Sequence, residues 1–312
     1  VIQHVVSVSG GKDSDAIYLR ALELGRDFLP VFADTGHEHP ATYEHVRLLA
    51  ARTGGPEVQW VKADFSFQIA RKARFVAEKW PEHGVPAERV ARALELLKPT
   101  GIPYLDLCLW KGRFPSTRRK FCTEELKTLP ITEQVMRPAI EGGARVISWQ
   151  GVRAEESRPR ALLPRSQVIT IAGLSMRVWR PILHWTLADV LEIHRRHGLP
   201  LNPLYSRGFN RVGCFPCIHA TKAEVRRIGD QEEAAIAKLE EWERLVGEAS
   251  KRGRGSFFSH DKTPGAHQGR ADIPMPGIRE VVEWARTSRG GSQYTLLEAD
   301  MGTVCGAWGH CE

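Results

Sequence analysis

No stretch of this 312-residue chain approaches the roughly 18 consecutive apolar residues of a membrane-spanning helix, so no membrane role is expected. The opening residues, 1–9, are an apolar run into Gly10-Gly11 that lacks the basic start and small-residue cleavage site of a secretory signal. Cysteine is sparse: Cys108, Cys122, Cys214, Cys217, Cys305 and Cys311 make six in the whole chain. That excludes a small disulfide scaffold and points to metal-binding or catalytic thiols in a reducing cytoplasm. The Walker A pattern is missing, because no Gly-Lys is followed by Ser or Thr, and so is G-x-G-x-x-G. The usual nucleoside-triphosphatase and dinucleotide readings therefore fail. No internal repeat or long low-complexity tract occurs.

What is present is a globular composition, 42% hydrophobic and 26% charged. The net charge of +7 and a pI near 9.2 favour anionic ligands, polyphosphates or nucleic acid, without choosing between them. Along the first half, strand-like and helix-like stretches alternate, the pattern of a parallel sheet covered by helices. Residues 4–9 read as a strand and 14–24 as a helix. The unit repeats at 28–33 with 40–52, and at 57–62 with 65–79. Between 81 and 128 the pattern is less regular; a helix is expected near 87–97, then a basic, aromatic stretch, 109–120, read as an insertion over a ligand site. Residues 145–150 read as a buried strand, and 167–171 with 176–181 as a hairpin or a pair of edge strands around Gly173. Thr186 caps a helix over 186–197. Beyond Thr221 a charged helix (230–250), a loop rich in Gly, Arg and Lys (251–269) and a short helix (278–287) are expected, with two cysteines in the tail.

Ser9-Gly10-Gly11-Lys12-Asp13-Ser14 sits where the first strand gives way to the first helix. Unpaired amides and the positive end of the helix dipole point into such a turn, paired glycines admit an anion, and Ser14 adds a hydroxyl. A phosphate is the natural occupant. The hexapeptide resembles the pyrophosphate-binding loop of the adenine-nucleotide alpha-hydrolase superfamily, which includes N-type ATP pyrophosphatases and the sulfonucleotide (PAPS and APS) reductases. The resemblance extends along most of residues 4–225. Phe32-Ala33-Asp34-Thr35-Gly36 with Glu38, Pro40 and Thr42 is similar to the family's second-strand motif beside the nucleotide. Gly151-Val152-Arg153-Ala154-Glu155-Glu156-Ser157 resembles its G-x-R-x-x-E-S segment, whose Arg faces the phosphate or sulfate. Residues 181–186, 199–205 and 208–214 are similar to the segment after the last sheet strands. Asp34 is placed for a ribose hydroxyl or a metal-bound water, against a plain helix entry. Arg153 offers its fork to an anion, against an ion pair with Glu155 or Glu156.

Cys214-Phe215-Pro216-Cys217 can bring two thiolates to one metal centre; alone it fits zinc, iron-sulfur, redox or structural roles. Residues 119–127, with Cys122, resemble the cysteine-bearing segment that iron-sulfur members of the family combine with a later C-x-x-C. Assimilatory APS reductases carry Cys-Cys at the first segment where this chain has Phe121-Cys122, so one of their four ligands is absent. The fourth ligand is Cys305 or Cys311, or one iron is open to carry a sulfur, as in tRNA-thiolating relatives. Cys311 also invites comparison with the C-terminal nucleophilic Cys of sulfonucleotide reductases. Cys108 reads as a core residue, and His37 and His39 as polar loop residues. Lys251-Arg252-Gly253-Arg254 with Phe257 and Phe258 reads as a solvated loop ahead of a nucleic-acid contact.

Together the residues and the resemblance imply an α/β fold, a Rossmann-like doubly wound parallel sheet (adenine nucleotide alpha-hydrolase-like) with a helical C-terminal extension. The expected domains are 1–225, with an insertion at about 81–128, and 226–312. The expected nucleotide site is Ser9, Gly10, Gly11, Lys12, Asp13, Ser14, Asp34, Thr35, Gly151 and Arg153. Lys12, Asp13 and Cys311 are the catalytic candidates. Cys122, Cys214, Cys217 and Cys305 are the candidate ligands of a [4Fe-4S] cluster, with zinc as the alternative metal. The implied reaction is ATP-dependent sulfur transfer with pyrophosphate leaving, with Mg²⁺ as a further cofactor. The alternatives are PAPS or APS reduction to sulfite, and a zinc-stapled nucleic-acid-binding module without catalysis. The implied partners are an adenine nucleotide, a nucleic-acid sulfur acceptor and a sulfur or electron donor protein.

Overall fold

The computed structural model describes residues 1–258 and 275–288. β1 (Ile2–Val8) runs parallel to β2 (Phe28–Asp34), and β2 to β3 (Gln59–Lys62), with α2 (Pro40–Arg47) and α3 (Leu49–Thr53) between β2 and β3. On its other side β1 pairs in parallel with β4 (Arg145–Trp149), and β4 with β6 (Leu174–Trp179). β5 (Ser166–Ile171) closes the margin as the antiparallel partner of β6, through a turn in which Ala172 and Gly173 both take positive φ. The order is β3-β2-β1-β4-β6-β5. The chain leaves β1 toward one margin and returns beside it as β4, so the crevice at their carboxyl ends is the topological switch point where ligands of such sheets bind.

The strands alternate faces, and both faces are covered. Val6, Val8, Phe28 and Phe32 share one core cluster with Ile17 and Leu19 of α1 (Lys12–Glu23), and with Val190 and Ile193 of the helix Leu187–Arg196. Val5, Val31, Val61 and Val146 share the opposite one with Ile131, Val135 and Met136. Each such side chain, fully buried, contributes about 1.5–3 kcal/mol of transfer free energy. Trp149 and Trp179 are register partners, with ring centroids 4.3 Å apart and planes near perpendicular. The doubly wound sheet expected from the sequence is thus the fold observed. Thr186 caps its helix as expected, in a capping box with Asp189.

One element of the second layer is not announced by the sequence pattern. Residues 124–141 form a helical run containing two π-wound segments, Glu124–Thr128 and Thr132–Met136, each ending two residues before a proline, Pro130 or Pro138. A proline ring clashes with the carbonyl four residues earlier and donates no hydrogen bond. Widening the turn relieves both, so the helix continues where the prolines signal a break.

The chain divides into two compact units. One is Val1–Ala63 with Thr123–Phe215, which holds the whole sheet. The other joins Asp64–Cys122 to residues 216–288 and is helical. It comprises α4 (Ser66–Glu82), α5 (Ala87–Leu96), α6 (Pro103–Lys111) and the helices Lys222–Gln231, Glu233–Glu248 and Ile278–Arg286. Its core stacks Tyr104 on Trp242, with ring centroids 5.8 Å apart, and sets Phe257 against Phe114. Two helices here depart from the expected pattern: α6 begins before the basic stretch and includes its first residues, and Lys222–Gln231 precedes the charged helix, capped by Thr221. No helix among the described residues is long and apolar enough to cross a membrane.

Candidate functional site

β1 ends at Val8 and α1 begins at Lys12, so the Ser9–Ser14 segment is the turn between them. It closes on itself: the Ser9 amide and hydroxyl donate to Ser14 Oγ at 3.1 and 3.0 Å, and Ser14 Oγ donates to the Gly11 carbonyl at 2.8 Å. Gly10 takes a φ of +78°. A Cβ there would lie 2.8 Å from the Thr42 methyl, so the position needs glycine twice over. From behind, Asn202 Nδ2 donates to the Gly10 carbonyl (3.0 Å) and to Thr42 Oγ1 (3.1 Å), and Thr42 Oγ1 donates to the Val212 carbonyl. The Lys12 amide donates to the Tyr205 hydroxyl, and His194 Nε2 donates to the Lys12 carbonyl at 2.9 Å. Gly11, at the N-cap, supplies no side-chain cap to α1. A helix start whose own N-cap residue has no side chain leaves room for an anion beside the one amide that Tyr205 takes.

Asp13 is wholly buried under this turn, with Oδ1 2.5 Å from Arg153 Nε and Oδ2 3.0 Å from Lys12 Nζ. Arg153 Nη1 reaches Glu155 at 2.7 Å. Burial works against the Arg153 charge, yet Asp13, then Glu156 and Glu155, hold its guanidinium above its ordinary value. The structure therefore directs the Arg153 fork at carboxylates, one of them inside the loop. Gly151, just after β4, comes so close that a Cβ would lie 2.7 Å from the Asp13 carbonyl oxygen. A second buried pair, Asp15 Oδ2 with His45 Nε2 at 2.7 Å, ties α1 to α2 (Pro40–Arg47).

The carboxyl end of β2 forms the facing wall. Asp34 Oδ1 accepts from the Gly36 amide (2.9 Å) and the Tyr43 hydroxyl (2.7 Å), and that hydroxyl also lies 2.9 Å from Glu38 Oε2. Burial, then Glu38 and Asp34, push ionisation of Tyr43 far up, so it remains a donor. Buried Glu38 accepts from Thr35 Oγ1 at 2.6 Å. Ser9, Ser14, Ala33, Glu38, Lys127 and Gly151 line one cleft. The structure thus gathers the loop, the second-strand motif and the Gly151 segment at the switch point. Asn202, Tyr205 and His194 hold the loop, and Lys127 lines the cleft. Sequence reasoning assigns no site role to any of these residues, although Asn202 and Tyr205 stand in a family-like segment.

Cys214 belongs to this wall. It forms a β-bridge with Glu38, and its Sγ lies 3.8 Å from Glu38 Oε1 and 3.9 Å from Thr35 Oγ1. Cys122 and Cys217 belong to the helical unit. All three thiols are half-buried, whereas Cys108 is fully buried, and burial followed by Cys122 pushes its thiol up. Cys305 and Cys311 lie outside the described residues. Among the described residues no three His, Cys, Asp or Glu side chains are grouped to hold a metal ion.

A comparison of the sequence with protein families matches residues 3–220 to the phosphoadenosine phosphosulfate reductase domain. The chain belongs to this family. A 37.8 kDa protein of Escherichia phage 186 is 47% identical over 315 residues, covering 97% of this chain and 94% of its own length. An adenosine 5′-phosphosulfate reductase of Mesorhizobium japonicum is 26% identical over 67% of this chain, and the match spans 63% of that reductase. A crystal structure of phosphoadenylyl-sulfate reductase from Candida auris, in a phosphate complex, aligns with a TM-score of 0.41 and 20% identity, covering 69% of this chain and 82% of its own. The family match ends at residue 220, ahead of the helix Lys222–Gln231 and those that follow.

Proposed function

We propose that the chain binds ATP at the Ser9–Ser14 turn and uses it, with pyrophosphate leaving, to activate an acceptor for sulfur transfer. The observation that carries this reading is the complete turn: Ser9 and Ser14 close it, Gly10 and Gly11 keep it bare, and Gly11 at the N-cap of α1 brings no side chain into it. That arrangement offers backbone amides and a helix dipole to a polyphosphate. Lys12, at the rim, supplies the cation that would stabilise the leaving pyrophosphate, with Mg²⁺ as its partner. Asp13 acts through Lys12 and Arg153, by fixing both.

Cys122, Cys214 and Cys217, with Cys305, are proposed as ligands of a [4Fe-4S] cluster. Three half-buried thiols support this donor chemistry. The described residues alone do not group enough donors to close such a site, so no step of the nucleotide chemistry is routed through it. Iron with acid-labile sulfide in anaerobically prepared protein is the expected analysis; zinc alone would remove the cluster. The second reading, reduction of PAPS or APS to sulfite with attack by Cys311, is favoured by the match to an APS reductase. Incubation with ATP and an acceptor nucleic acid, in parallel with PAPS or APS and thioredoxin, separates the two. Pyrophosphate release is the expected result, and sulfite formed without ATP use would overturn it.

A further inference from the structure

Many arginines on the protein surface face a carboxylate: Arg92, Arg137, Arg195, Arg244, Arg279 and Arg286 each hold one within 3.1 Å. Arg113, Arg118, Arg119 and Arg252 of the helical unit have none among the described residues, and they come from two stretches far apart in the sequence. α6 ends at Gly112, where a Cβ would lie 3.9 Å from Ser250 Cβ, so the turn after the helix Glu233–Glu248 runs beside the end of α6. That turn is fixed by the Gly253 amide on the Ser250 carbonyl (3.1 Å) and by Arg89 Nη1 on the Lys251 carbonyl (3.2 Å). It carries Arg252. Arg113 follows Gly112 directly, and Arg118 and Arg119 stand on a tight turn in which Ser116 and Arg119 exchange backbone hydrogen bonds at 3.1 and 3.0 Å. Phe121 lies among these cations, its ring centroid 5.8 Å from both the Arg113 guanidinium and the Lys111 ammonium. All four arginines are exposed. Partial desolvation, then Arg119 and Arg252, hold the Arg113 guanidinium below its ordinary value, so the two neighbouring arginines add to a shift that desolvation leads.

We propose that Arg113, Arg118, Arg119 and Arg252, flanked by Phe121, form a docking surface for the phosphodiester backbone of a nucleic acid. Guanidinium forks match phosphate oxygens two at a time. Several of them on separate turns suit a charge that repeats along a polymer, and an aromatic ring beside them can meet a base. The identity of the strand as sulfur acceptor rests on the function proposed above; the docking does not, and its test uses no nucleotide cofactor.

The test is fluorescence anisotropy of the full chain with labelled single-stranded RNA, single-stranded DNA and duplex DNA across a salt series. Salt-dependent binding is expected. Arg113→Ala/Arg119→Ala/Arg252→Ala together should weaken it at least about tenfold and reduce the slope of log affinity against log salt by about 2, since each lost phosphate contact on a single strand removes about 0.7. A control of equal charge, Arg71→Ala/Arg74→Ala/Arg145→Ala, drawn from exposed arginines outside the cluster, should leave affinity within about twofold. Melting followed by circular dichroism shows that both triple variants are folded. Absence of salt-dependent binding, a cluster variant that binds as the parent does, or equal losses in both variants would overturn the proposal. The tightest of the three ligands identifies the strand type.

Discussion

At Gly10 a positive φ and the Thr42 methyl act on the same atom position. Gly10→Ala should weaken ATP binding at least about tenfold by calorimetric titration and lower the melting temperature, because left-handed backbone costs a side chain about 1–2 kcal/mol before any collision is counted. Adding Thr42→Ser removes the colliding methyl, keeps the hydroxyl, and should recover only part of the loss. Full recovery would mean that the φ carries no cost. Asp13 is the other residue on which the turn depends. Asp13→Asn leaves Arg153 buried with its closest counter-charge gone, which should cost about 3–5 kcal/mol in urea unfolding. Arg153→Leu added to it should cost less than the sum of the two single changes. Strict additivity would show that the pair does not interact.

Elements explain what could and could not be read in advance. β1, the bare turn and α1 are legible because strand, glycines and helix are consecutive, and the β5–β6 hairpin and the Thr186 cap are local as well. The helical run over 124–141 is hidden because Pro130 and Pro138 normally end helices, and the π turns that rescue it have no separate sequence signal. The hold of Asn202, Tyr205 and His194 on the turn, and the contact of Cys214 with Glu38, join residues that only the folded sheet brings together. In the helical unit, the helix Glu233–Glu248 presents buried Glu243 to two amides, those of Phe257 and Ile278, at 2.7 Å each. Burial pushes its carboxyl up from 4.5 to about 7, against the pull of those two amides, with Glu240 and Glu280 adding to the rise. A carboxyl raised on folding favours the folded state most below pH 4.5. On the order of 3 kcal/mol of stability should be lost as pH rises toward 7, because each tenfold gain in proton affinity on folding is worth about 1.4 kcal/mol. Glu243→Gln should flatten the denaturation midpoint across this window, and an unchanged profile would show that Glu243 ionises normally.

At the scale of the molecule, one unit contains the whole sheet and the cleft beside the Ser9–Ser14 turn, and the other contains the basic cluster. The net charge of +7 is legible at once as an affinity for anions, but not where it is concentrated, since paired and unpaired arginines look alike in a sequence. The exposed basic stretches gain meaning only once the end of α6 is seen beside the turn at Ser250. The Trp149–Trp179 contact has a practical use of its own. Two indoles held edge to face at 4.3 Å inside the sheet are fixed chromophores in an asymmetric setting, and such packing is what near-ultraviolet dichroism detects. The sheet therefore carries a built-in optical signature, through which its melting can be followed without attaching any label.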